Sequence, residues 1–181
     1  MTGSQTTELS FDASPWRVAI VAARFYDGLV SQLIDGATRA WRAHGGSEEN
    51  LAVLRVPGAF ELPLAAARLA AIGDYQAVIA LGCVIRGDTP HFEYVAGECA
   101  RGLMDAGLAT GVPVIFGVLT TETQAQAEER ADISRMNKGR ESMEAALEMI
   151  ELLAPFDPPR AKPAAKERVA PKAARRKKGR R

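Results

Sequence analysis

Apolar residues along this chain come in two alternating patterns: short unbroken runs, and longer stretches where they recur every three or four positions. Residues 17–23 (RVAIVAA) form the first run, which predicts a strand buried on both faces. Residues 27–44 follow with Leu29, Leu33, Ile34, Ala37 and Trp41 on one stripe, an amphipathic helix closed by Gly45-Gly46. A second strand is predicted at 51–56, stopped by Pro57-Gly58. The helix after it, 60–72, tolerates Pro63 because that residue lies in the first turn. Gly73 and Asp74 turn the chain into a third strand at 77–85, and a polar loop occupies 86–91. The next helix, 92–108, places Val95, Ala96, Cys99 and Leu103 at helical steps. A fourth strand is expected at 114–119. Residues 120–130 open with cap-type threonines and turn helical. The last helix, 138–153, buries Met143, Ala146, Leu147 and Ile150, and Pro155 and Pro158 terminate it.

Buried strands joined by crossovers of helical length imply a parallel sheet covered on both faces. The predicted fold is α/β, a three-layer α-β-α sandwich around four parallel strands with flavodoxin-like topology. In such sheets ligands bind outside the carboxyl ends of the strands. Those ends are residues 24–26, 57–61, 86–91 and 120–121, so the search for chemistry begins there.

Composition adds three constraints. Hydrophobic residues make up 47% of the 181, enough for a core, while no apolar run approaches the roughly 18 residues of a membrane span. The polar N-terminus has no hydrophobic stretch before a cleavage site, so a soluble cytoplasmic protein is expected. Two cysteines, Cys83 and Cys99, with His44 and His91, are too few for a disulfide framework or a structural metal site. The thiols read as small core residues. Charge is unevenly spread: residues 160–181 hold 11 Lys+Arg and one acid, Glu167, leaving 12 basic and 21 acidic groups in residues 1–159. The predicted organisation is a polar lead (1–15), an acidic α/β domain (16–157) and a basic tail (158–181). The tail lacks aromatics and has Val169 as its one large aliphatic side chain, so it is expected to be disordered.

The loop Arg86-Gly87-Asp88-Thr89-Pro90-His91 is the most informative segment. Exposed N–H groups at a helix start attract anions, so the Asp88 and Thr89 amides and the Thr89 hydroxyl could hold a phosphate. His91 beside them suits proton transfer near neutrality. The alternative is a capped connection with a solvent-facing histidine. Phe25 could stack on a planar ring or simply fill an interface. Glu61 could bond ligand hydroxyls or complement a helix dipole. Arg130 and Lys138 flank a turn and could neutralise phosphate or a developing oxyanion, or be solvated charges. Neither G-x-G-x-x-G after the first strand nor G-x-x-x-x-G-K-[ST] is present, so dinucleotide and P-loop sites have no support.

Five separated motifs stand in one order: ARFYDGL (23–29), VPGAFELPLAA (56–66), GCVIRGDTPHFEYV (82–95), PVIFGVLTTET (113–123) and NKG (137–139). Together they resemble the lumazine synthase family of riboflavin biosynthesis over residues 17–153. The resemblance implies condensation of 5-amino-6-(D-ribitylamino)uracil with 3,4-dihydroxy-2-butanone 4-phosphate, giving 6,7-dimethyl-8-ribityllumazine, phosphate and water without metal or organic cofactor. It implies that Phe25 stacks on the pyrimidine and that Ala59, Phe60 and Glu61 hold the ribityl chain. The backbone of Cys83, Val84 and Ile85 would read the pyrimidine edge, and Phe116 would line the cavity. Asp88, Thr89 and Arg130 would bind phosphate, His91 would shuttle protons, and Lys138 would reach the heterocycle or the phosphate region. It further implies a homopentamer, or a decamer or shell built from pentamers. Phe25, Glu61 and His91 would then come from one chain, and Phe116, Arg130 and Lys138 from the next.

Three alternatives remain at this level. An archaeal-type riboflavin synthase would need no phosphate site, against the pairing of GDTPH with Arg130. A silent scaffold would not need Phe25, Glu61, His91, Arg130 and Lys138 together. A flavin or lumazine carrier would bind a fluorescent ligand without turnover. The tail lies outside the resemblance and reads either as a contact for nucleic acid or acidic cargo or as a solvated extension.

Overall fold

The computed structural model describes residues 10–156. Its elements are β1 (Val18–Ala23), α1 (Asp27–Ala43), β2 (Leu51–Val56), α2 (Leu62–Ile72), β3 (Ala77–Ile85), α3 (His91–Thr110), β4 (Val114–Thr121), α4 (Gln124–Ala131) and α5 (Lys138–Leu153). All four strands run parallel in the order β2-β1-β3-β4. That is the predicted three-layer architecture, with β1 and β3 central and β2 and β4 at the edges.

Alternation along the central strands divides the core in two. Val18, Ile20 and Ala22 of β1 and Ile79, Leu81 and Cys83 of β3 pack under α1, α4 and α5. Ala19 and Val21 of β1 and Val78 and Ala80 of β3 pack under α2 and α3. Every residue of β1 is buried, which is why its sequence is unbroken apolar rather than alternating. The edge strand β2 differs, leaving Val53 and Leu54 exposed. Among the described residues no helix is long and apolar enough to cross a membrane.

Close approach of α5 to α1 depends on small residues. A Cβ on Gly139 would stand 2.0 Å from the Leu33 carbonyl oxygen, and one on Gly36 would stand 2.2 Å from Asn137 Oδ1. Asn137 adopts a left-handed conformation (φ 46°), and its side chain accepts the Arg140 N–H at 3.1 Å. The NKG motif is thus a helix start pressed onto α1, with Lys138 fixed between the cap and the contact.

Several boundaries differ from expectation, each for a local reason. Arg17 is not in β1; its N–H donates to Gln76 Oε1 at 2.7 Å instead. The helix expected at residue 60 starts at Leu62, because Ala59–Glu61 is a 3-10 turn closed by the Glu61 carboxylate accepting the Gly58 N–H at 2.9 Å. The third helix begins at His91, so the histidine is on a helix rather than in the loop, and it continues to Thr110. β4 runs on through Thr120 and Thr121, since Ile85 pairs with Thr121 and the Arg86 N–H donates to its carbonyl. Thr123, not Thr120 or Thr121, caps α4 by accepting the Gln126 N–H at 3.3 Å.

Candidate functional site

At the carboxyl ends of β1 and β3 a cavity of about 600 Å³ opens between the 3-10 turn and the start of α3. The parallel sheet makes this location: β1 delivers Phe25, the turn after β2 delivers Ala59, Phe60 and Glu61, and β3 delivers Cys83, Val84 and Ile85. Thr89 and His91 complete the wall from the following loop and helix.

Phe25 is 65% exposed, and its ring meets Tyr26 edge-on with centroids 4.8 Å apart. A large aromatic left this open offers a face for a planar ligand. It is held by main chain: the Arg24 N–H donates to the Val56 carbonyl at 2.8 Å and the Phe25 N–H to the Pro57 carbonyl at 3.1 Å. Tyr26, in the left-handed region (φ 57°), reverses the chain into α1. Glu61 keeps one carboxylate oxygen on the Gly58 N–H, leaving the other available to a ligand hydroxyl. Cys83 is 2% exposed and burial pushes its thiol up to about 11, so the residue contributes backbone rather than a nucleophile. Cys99, also buried, is raised to about 11 by the same cause.

The remaining predicted residues gather elsewhere. Phe116, Arg130 and Lys138 line a second hollow of about 380 Å³ against the free edge of β4. Phe116 is 43% exposed there. Lys138 Nζ pairs with Glu141 Oε2 at 2.5 Å, and Arg130 Nη1 donates to the Gln126 carbonyl at 3.0 Å. Gly117 lets β4 pack closely beneath α5, since a Cβ there would stand 2.5 Å from Leu81 Cδ2 and 2.7 Å from Ser142 Oγ. No residue lines both cavities. Asp88 is exposed and lines neither.

The lining residues that the sequence analysis gave no role include three with polar side chains suited to a ligand. Tyr94, 69% exposed, lies three positions after His91 and so on the same face of α3. Tyr26 lines the same cavity, and Glu141 shares the second hollow at i+3 from Lys138. Helical spacing from His91 and Lys138 was the available signal for Tyr94 and Glu141. Among the described residues, no three His, Cys, Asp or Glu side chains gather as metal ligands.

Comparison with known proteins identifies the family. The sequence profile described as 6,7-dimethyl-8-ribityllumazine synthase matches residues 15–154. A 6,7-dimethyl-8-ribityllumazine synthase of Chlorobium phaeovibrioides is 49% identical over 148 residues, covering 82% of this chain and 96% of the relative. One from Halorhodospira halophila is 56% identical over 137 residues, covering 76% and 88%. With a profile match across nearly the whole described fold and about half of all aligned positions identical, the chain belongs to the 6,7-dimethyl-8-ribityllumazine synthase family.

Proposed function

We propose that this protein condenses 5-amino-6-(D-ribitylamino)uracil with 3,4-dihydroxy-2-butanone 4-phosphate, releasing 6,7-dimethyl-8-ribityllumazine, phosphate and water. The observation that carries the reading is one cavity at the strand ends combining an exposed Phe25 ring, the Glu61 carboxylate, His91 and the amide-bearing loop. The substrate amine attacks the ketone to form an imine with loss of one water, phosphate leaves by elimination, and the second amine closes the ring on the remaining carbonyl with loss of a second water. Those steps call for proximity, a proton shuttle and an anion site.

Phe25 stacks on the pyrimidine, whose edge is read by the backbone of Cys83, Val84 and Ile85. The Ala59-Phe60-Glu61 turn holds the ribityl chain. His91 moves protons between the amine, the carbonyl oxygen and the leaving groups. The Asp88 and Thr89 amides receive the phosphate, with the Asp88 carboxylate turned away. Arg130 supplies the countercharge, Lys138 reaches the same region, and Phe116 closes the pocket from the side.

The two hollows are halves of one site completed between neighbouring subunits of a pentamer or a multiple of it. Support comes from their separation within the chain and from Phe116 lying open on an unpaired sheet edge. Unpaired Cys83 and Cys99 fit the reducing cytoplasm. The basic tail lies outside the described residues; its 11 cations facing one acid suit nucleic acid or an acidic cargo, with a solvated extension as the alternative.

Incubating the protein with both substrates tests the reaction. Growth of lumazine fluorescence with matching phosphate release supports it. Turnover of lumazine alone, or a bound fluorophore without turnover, refutes it.

A further inference from the structure

Arg86 has no part in the chemistry above, yet it ties together three segments at the cavity rim. Its N–H donates to the Thr121 carbonyl at 2.9 Å, the last rung between β3 and the end of β4. Its Nε donates to Glu122 Oε2 at 2.6 Å, beyond β4, and its Nη1 donates to Glu93 Oε1 in the first turn of α3. The guanidinium carbon lies 4.2 Å from the centre of the Phe92 ring. A planar fork can meet two carboxylates while stacking on an aromatic face; an ammonium cannot do all three.

Two consequences meet at residues 87–89. No hydrogen bond ties the N–H of Gly87, Asp88 or Thr89 to another described residue, so this stretch is shaped by its ends. One end is Arg86, and the other is the α3 turn that Arg86 grips through Glu93. Charge matters as well, because Asp88, Glu93 and Glu122 are all carboxylates near the loop. Arg86 holds the Glu93 carboxyl below its usual range, so that group stays ionised and needs its partner.

We infer that Arg86 is a positioning residue, fixing residues 87–89 so that their N–H groups converge on an anion and neutralising the two carboxylates that would repel it. The identity of that anion, the phosphate of the four-carbon substrate, rests on the proposed reaction.

The test uses the full-length protein with Arg86→Lys, which keeps the charge and loses the fork. KM for the butanone phosphate should rise about tenfold, the size of one charge-assisted contact, with KM for the pyrimidine and Tm unchanged. Arg86→Gln should lose more, and adding Glu93→Gln and Glu122→Gln should recover part of that loss by removing the stranded charges. Inorganic phosphate affinity, measured by calorimetry without turnover, should weaken in parallel. Wild-type phosphate affinity and KM in Arg86→Lys would overturn the inference. So would an equal rise in both KM values together with a lowered Tm, which marks a merely structural residue. A wild type that binds phosphate through Arg86 but forms no lumazine would refute the reaction and leave the positioning role standing.

Discussion

Replacing Gly139 by alanine tests whether the NKG motif is a packing device that fixes Lys138. The new Cβ would stand 2.0 Å from the Leu33 carbonyl oxygen, more than an ångström inside ordinary contact. That oxygen belongs to the backbone of α1 and cannot rotate away, so α5 must shift outward. Overpacking of this kind costs about 3 kcal/mol at the upper end of its usual range. Better helix propensity returns at most about 1 kcal/mol. The net loss of about 2 kcal/mol should lower Tm by roughly 4–8 °C for a domain of this size, read by circular dichroism at fixed protein concentration. Gly36→Ala is the control, because the atom nearest its Cβ is the side-chain Asn137 Oδ1 at 2.2 Å, with the Arg140 nitrogen next at 3.2 Å. Displacing Asn137 costs its cap, about 1 kcal/mol, which the propensity gain in mid-helix nearly offsets. In an Asn137→Gly background, where the cap is already gone and the left-handed turn is easily adopted, Gly36→Ala should stabilise the protein. A Gly139→Ala protein as stable as wild type, or a Gly36→Ala effect unchanged by Asn137→Gly, would refute the packing argument.

Four further outcomes are expected. His91→Ala should slow turnover about a hundredfold without abolishing it, since orientation by the pocket persists, while Arg130→Ala should mainly raise KM for the phosphorylated substrate; an unchanged KM there would remove Arg130 from the anion site. With both thiols raised to about 11 by burial, on the order of one in a thousand is thiolate at pH 8, so thiol reagents should label the folded protein slowly and faster as pH climbs toward 11. Truncation at Pro159 should abolish a salt-sensitive gel shift with nucleic acid, and equal binding by the truncated and full chains would assign the tail no such contact.

Architecture was legible because burial dictates pattern: β1 and β3 are covered on both faces, and their unbroken apolar sequence says so. Strand order was inferred from topology rules rather than from any residue. Nothing in LAVLRV reveals that Val53 and Leu54 face outward on an edge. Boundaries slipped where a hydrogen bond from a distant segment decided them, as when the Arg86 N–H extends β4 to Thr121 or the Glu61 carboxylate tightens a turn ahead of α2. That Phe25, Glu61 and His91 line one cavity was legible because ligands gather at strand ends, a rule that sequence order alone locates. Tyr94 and Glu141 lay within reach of helical spacing from His91 and Lys138, but their place on a cavity wall depends on residues that other elements bring in. The grouping of site residues into two hollows was likewise invisible to periodicity and came from resemblance.

Electrostatics gives the separated hollows a reason to meet. A phosphate dianion at residues 87–89 would lie near Asp88, Glu93 and Glu122, and Arg86 is already shared between two of those carboxylates. The chain's other site cations, Arg130 and Lys138, lie at the β4 edge, in a hollow that shares no residue with the first. On the proposed reaction, a neighbour's β4 edge brought over the loop supplies the net attraction for the substrate. Mixing two crippled proteins tests this. In a ring assembled at random from equal amounts of His91→Ala and Arg130→Ala chains, about a quarter of the interfaces join an intact His91 to an intact Arg130. Unfolding and refolding the mixture, then assaying at butanone phosphate well below the KM of the Arg130→Ala parent, should restore about a quarter of wild-type activity, far above either parent. If both residues served one site within a chain, no hybrid would contain an intact site, and activity would stay at the parental mean.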